Sequence, residues 1–66
     1  MKRTVKEIAK EYGKGWEFRV FDNHENYLYT ATTDEILIAT DEKFEFVVKD
    51  FSESKIYIHL LYINLI

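Results

Sequence analysis

The 66-residue chain has no cysteine and no proline, and its two glycines, Gly13 and Gly15, sit at a single junction. Without cysteine there are neither disulfides nor thiolate metal sites. Two histidines alone do not build a structural zinc site, although carboxylates could join them. Without proline, no strand edge is blocked by a residue lacking an N–H. No apolar run, the one at residues 60–63 included, exceeds four residues, whereas a membrane-spanning helix needs about 20. The opening "MKRTVKEIAK" is basic but lacks the apolar stretch of a signal peptide. These absences lead us to expect a cytoplasmic protein that makes no membrane contact.

Hydrophobic residues make up 47% of the chain and aromatics 17%, which argues against disorder. Residues 1–66 are long enough for one small domain. A chain of this size buries only about 60% of its unfolded surface and often relies on a disulfide, a metal or a partner chain. With disulfides excluded, a well-packed core, a partner, or both must supply the stability. The net charge of −3 is modest but unevenly spread. Residues 1–19 carry six bases against three acids, and residues 20–54 carry two bases against nine acids.

"TVKEIAKEYGKG" has the marks of a helix. Thr4 and Glu7 form a capping box. Val5, Ile8, Ala9 and Tyr12 fall on one face, and Gly13 is placed to end the helix. At about eight residues it is too short to stand alone and must lie on a sheet. "WEFRVFD" alternates Trp16, Phe18 and Val20 against Glu17, Arg19 and Phe21. "DNHEN" reads as a turn, and "YLYTATT" pairs back as a hairpin. "KFEFVVKDF" and "KIYIHLLYI" read as two more strands joined at "SES". Residues 34–40 fit either a short buried strand or a helical turn capped by Thr33 or Asp34; the isoleucine-rich run favours the strand. The expected fold is α+β, one short N-terminal helix packed on an antiparallel sheet of four or five strands.

The "TVKE" helix, a strand ending in aspartate, "YLYTATTDEI" and then "VKDF…KIYI" together resemble short uncharacterised proteins of phages and integrative elements of low-GC Gram-positive bacteria. The likeness spans most of the chain, and the wealth of lysine, isoleucine and tyrosine fits an AT-rich genome. It implies a mobile-element accessory protein and a turn or short helix at "DEI". It carries over no catalytic residue.

Candidate chemistry is sparse. Ser52 and Ser54 flank Glu53 in a predicted turn, with a histidine only at distant His59, and a turn explains them better than a nucleophile does. Asp22, His24 and Glu25 share a hairpin loop and could bind a metal, but such residues routinely shape and solubilise loops. The pairs Asp34–Glu35 and Asp41–Glu42 have no sign of a concave pocket around them. We therefore expect no catalytic residue, no metal and no cofactor. Arg3, Lys6, Lys10 and Lys14 form a basic helix stripe that could track phosphates, but Glu7 and Glu11 interleave with it and favour a solvated face. The nine acids of residues 20–54 could imitate a phosphate backbone, but the N-terminal bases offset much of that charge.

The final stretch, "KIYIHLLYINLI", is apolar on both faces when read as a strand. One face carries Ile56, Ile58, Leu60 and Tyr62, the other Tyr57, His59, Leu61 and Ile63. A short helix covers one face of a sheet, here meeting Trp16, Phe18, Val20, Phe46, Val48, Ile56 and Ile58. The other would display Phe21, Leu28, Val47, Tyr57, His59 and Leu61. Contiguous apolar patches of several hundred Å² usually mean a partner. The expected function is protein binding, with Tyr57, His59, Leu61 and Tyr62 as the contact. The partner is a host or defence enzyme if the resemblance holds, or a second copy in a homodimer. The alternatives are nucleic-acid binding through the basic stripe and a purely structural homodimer. The tail could also bury itself against an edge.

Overall fold

Thr4 decides where the first helix begins. Its hydroxyl accepts from the Glu7 N–H at 3.2 Å, and the Glu7 carboxylate accepts from the Thr4 N–H at 2.9 Å, the capping box expected from the sequence. In the computed structural model, which describes residues 3–66, helix α1 (Val5–Tyr12) buries Val5, Ile8 and Ala9. Gly13 ends it at φ 81, a backbone region that side-chain-bearing residues avoid, and its N–H returns to the Ala9 carbonyl at 3.0 Å.

The same capping device recurs at Thr32. Its hydroxyl accepts from the Glu35 N–H, and Glu35 accepts from the Thr32 N–H, starting a helix over Thr33–Ile38, α2. Residues 34–40 are therefore not a strand. A capping box formed with Glu35, and the burial of Ile36 against α1, outweigh the β-propensity of the isoleucines. Thr33 follows the cap and is buried, its hydroxyl donating to the Gly13 carbonyl at 2.7 Å.

The strands are β1 (Arg3–Thr4), β2 (Glu17–Phe21), β3 (Tyr27–Thr32), β4 (Val47–Glu53) and β5 (Leu60–Leu65), in the sheet order β1-β4-β5-β2-β3. The fold is α+β, a five-stranded sheet with the short N-terminal helix against it. The sheet is mixed rather than wholly antiparallel, because β5 runs parallel to β2. A short 3₁₀ helix (Glu42–Glu45) takes up Phe44, so β4 begins only at Val47 and Phe46 is exposed rather than covered by the helix.

Parallel pairing sets Phe18 beside Leu61 and Val20 beside Ile63. All four are fully buried, with Val5, Ile8, Ala9 and Ile36 above them. Strand residues alternate between faces, so Arg19, Phe21, Tyr62 and Asn64 lie on the face opposite the helices. There Phe21 contacts the rings of both Tyr27 and Tyr62.

Truncating Leu61 to alanine should cost about 2–5 kcal/mol. That is most of the about 3–5 kcal/mol a core of this size supplies. Urea titration followed by circular dichroism should therefore find Leu61→Ala largely unfolded near room temperature. Thr32→Ala, which removes only the cap of α2, should lower stability by about 1 kcal/mol.

Candidate protein-binding surface

The alternating pattern at residues 55–59 does not become a strand. The β4–β5 hairpin closes where the Ser54 N–H donates to the Leu60 carbonyl at 2.8 Å, so the chain between them leaves the sheet. Ser54 then organises the loop: its hydroxyl oxygen accepts from the N–H groups of Ile56 at 3.2 Å and Tyr57 at 3.0 Å. His59 adopts φ 57, an uncommon left-handed conformation for a residue with a side chain, and turns the chain back into β5. Its carbonyl accepts from the Glu17 N–H at 2.9 Å, and its ring lies 5.2 Å from that of Trp16. The Arg19 guanidinium sits 5.5 Å from the centre of the Tyr57 ring.

A loop fixed at so many points presents its side chains in a set direction. Ile56 is 83% exposed and Ile58 86% exposed, with Tyr57 between them also exposed. Lys55 and His59 flank this apolar tip. The tip itself, with Lys55 and His59, forms part of the wall of a depression of about 440 Å³ completed by Trp16, Glu53 and Leu60. A second, of about 260 Å³, is also lined by Trp16, with Glu17, Thr33 and Asp34.

The expected contact of Tyr57, His59, Leu61 and Tyr62 is thus divided. Tyr57 and His59 are exposed on the loop. Tyr62 is half-buried on the helix-free face beside Phe21. Leu61 is 0% exposed in the core and cannot be a contact residue. Beginning β5 at Leu60 sets Leu61 opposite Phe18 beneath the helices. Ile56 and Ile58, expected under the helix, are instead the most exposed apolar residues of the hairpin. The one local signal for this was the serine at position 54, two and three residues ahead of the N–H groups it captures.

Several of the remaining candidates have structural roles. Arg3 pairs with Glu11 and lies 5.2 Å over the Phe51 ring, and Lys6 donates to the Ala39 carbonyl at 2.9 Å. This leaves Lys10 and Lys14 as the exposed members of the basic stripe. The Asp22 carboxylate accepts from the N–H groups of His24 and Asn26 and from the Asn26 side chain. Among the described residues, no three His, Asp or Glu side chains gather as a metal site. Glu35 is taken by the α2 cap, and Asp41 accepts from the Lys43 N–H. Hydrogen bonds, first from the Asn26 backbone, hold the Asp22 carboxyl below its ordinary range; the Thr32 backbone does the same for Glu35. Burial, and then the charge of Asp41, push the Tyr29 phenol above its ordinary range. The chain matches no protein-family model, no curated protein and no solved structure.

Ser54→Ala should speed hydrogen exchange at the Ile56 and Tyr57 amides while leaving Leu61 and Ile63 protected, as read by NMR. Asp22 should titrate below the ordinary carboxyl range in carbon-detected NMR. Because its folded pKa lies below its unfolded one, the ionised form stabilises the fold above that range. The contribution fades as pH falls through the folded value, below about pH 4. Asp22→Asn should therefore flatten this part of the acid limb.

Proposed function

We propose that this protein is a protein-binding module whose contact surface is the loop at residues 55–59 with the ground around Trp16. The observation that carries the reading is the ordered display of Ile56 and Ile58. Two isoleucines held almost fully in water do nothing for the core, and burying such side chains against another chain is worth about 1.5–3 kcal/mol each. Tyr57, with an apolar ring and a polar tip, and Trp16 beside it are residue types that dominate binding energy at protein interfaces. The sequence resemblance makes the wider role that of a mobile-element accessory or inhibitor protein acting on a host or defence enzyme. Nucleic-acid binding has less support, because Arg3 and Lys6 are engaged within the fold.

Photo-crosslinking tests the reading in living cells. A benzophenone side chain replacing Ile58 should give a discrete adduct with a protein chain. The same group at Ile38, equally exposed at 82% but on α2, should not. No protein adduct from position 58, or the same adducts from both positions, would contradict it.

A further inference from the structure

We infer that Arg19 is the anion-recognition point of the loop surface, taking a side-chain carboxylate of the partner protein in its guanidinium fork. This rests on the protein-binding reading and gives the partner its chemistry: an acidic residue set beside apolar ones. The chain has two arginines, and they differ in one respect. Arg3 lies 5.2 Å over the Phe51 ring, and the Glu11 carboxylate closes its guanidinium. Arg19 lies 5.5 Å over the Tyr57 ring in the same manner, half-buried, but no acid closes it. Among the described residues Arg3–Glu11 is the one ion pair, and no oxygen accepts a hydrogen bond from Arg19. A guanidinium stacked on a ring keeps its N–H edge free for two parallel bonds to a planar oxyanion. Leaving a half-desolvated cation without an acceptor costs free energy that such a ligand recovers.

The surroundings select a carboxylate. Arg19 points to the helix-free face, in a row with Thr30 on β3 and with Tyr62 and Ser52 on β5 and β4. That row carries hydroxyls and no acid. In the next row Asp50 accepts from the Asn64 side chain, and Glu17, two residues from Arg19 on the same face, stays apart from it. One open guanidinium with two acids on its face suits a single negative charge. A nucleic-acid backbone, which several cations must neutralise, is opposed by the same acids. Tyr57 stands between Ile56 and Ile58, so an acid seated on Arg19 comes beside the exposed isoleucines. The partner segment thus offers apolar side chains to the tip and a carboxylate to the arginine behind it.

Nitrogen-15 NMR of the two arginine side chains tests the site, with N-acetylphenylalanine as the probe and Arg3 as the internal control. The probe's carboxylate should move the Arg19 Nε–H signal and the Ile58 methyl signals saturably and leave Arg3 in place. The matching amide should bind at least about 10-fold more weakly. Arg19→Gln and Arg19→Lys should both lose the saturable response while keeping the wild-type circular dichroism, because neither presents the fork. Equal response at both arginines, equal binding of acid and amide, or full rescue by lysine overturns the inference. Phenyl phosphate binding more tightly than the carboxylate overturns it in favour of a phosphate ligand. A shift of the Arg19 signal in Glu17→Gln without probe overturns it too, by showing that Glu17 closes the fork. In cells, Arg19→Gln should cut the crosslinked adduct from position 58 about 10-fold. An undiminished adduct removes the carboxylate contact and leaves the protein-binding reading standing. No adduct with Arg19 intact removes both.

Discussion

The parallel pairing of β5 with β2 is the constraint on which the rest of the structure depends. It places the last strand of the chain in the middle of the sheet, hydrogen-bonded on both sides, with Leu61 beside Phe18 and Ile63 beside Val20. A central strand beneath two helices must be apolar on its covered face, which accounts for Leu61, Ile63 and Leu65. The pairing is also non-local. Residues near position 18 meet residues near position 61 across the intervening β3, α2 and β4, a long-range closure of the kind that slows folding.

That placement dictates the loop before β5. The chain must leave β4 at one edge of the pair, turn, and enter β5 in register with both neighbours. Ser54, the left-handed His59, and the His59 carbonyl bonded to Glu17 accomplish this in a few residues. None of these anchors requires isoleucine at 56 or 58, since the bonds run through backbone groups and the Ser54 hydroxyl. The fold therefore explains the loop's path but not its greasiness, and that remainder is what the proposed contact surface rests on. Exposed apolar side chains on a fixed backbone lose little entropy on docking, which favours binding over a flexible tail of the same composition.

Where local chemistry decided the outcome, the structure was legible in the sequence. The Thr4–Glu7 box, the helical spacing of Val5, Ile8 and Ala9, and the stop at Gly13 all appear as read. The alternation of Phe18 and Val20 inward also holds. Legibility failed where two rules competed. At Thr32 a capping box and tertiary burial of Ile36 overrode an isoleucine-rich strand pattern. At residues 55–59 the pattern was a strand's, but a serine capturing two backbone N–H groups withdrew those residues from the ladder. That shift moved the start of β5 and reversed which leucine faced inward. It turned Leu61 from a surface candidate into core and brought the unsuspected Ile56 and Ile58 to the surface. The parallel junction was invisible, because strand direction depends on topology rather than on any local residue pattern.

The most direct measurement is solvent paramagnetic relaxation of methyl-labelled isoleucines in dilute protein. The chain supplies its own controls: Ile36 and Ile63 are buried, while Ile38 and Ile66 are exposed away from the loop. At dilution the account predicts strong relaxation at Ile38, Ile56, Ile58 and Ile66 and almost none at Ile36 and Ile63. Protection of Ile56 and Ile58 at every dilution at which the chain is monomeric would contradict the account.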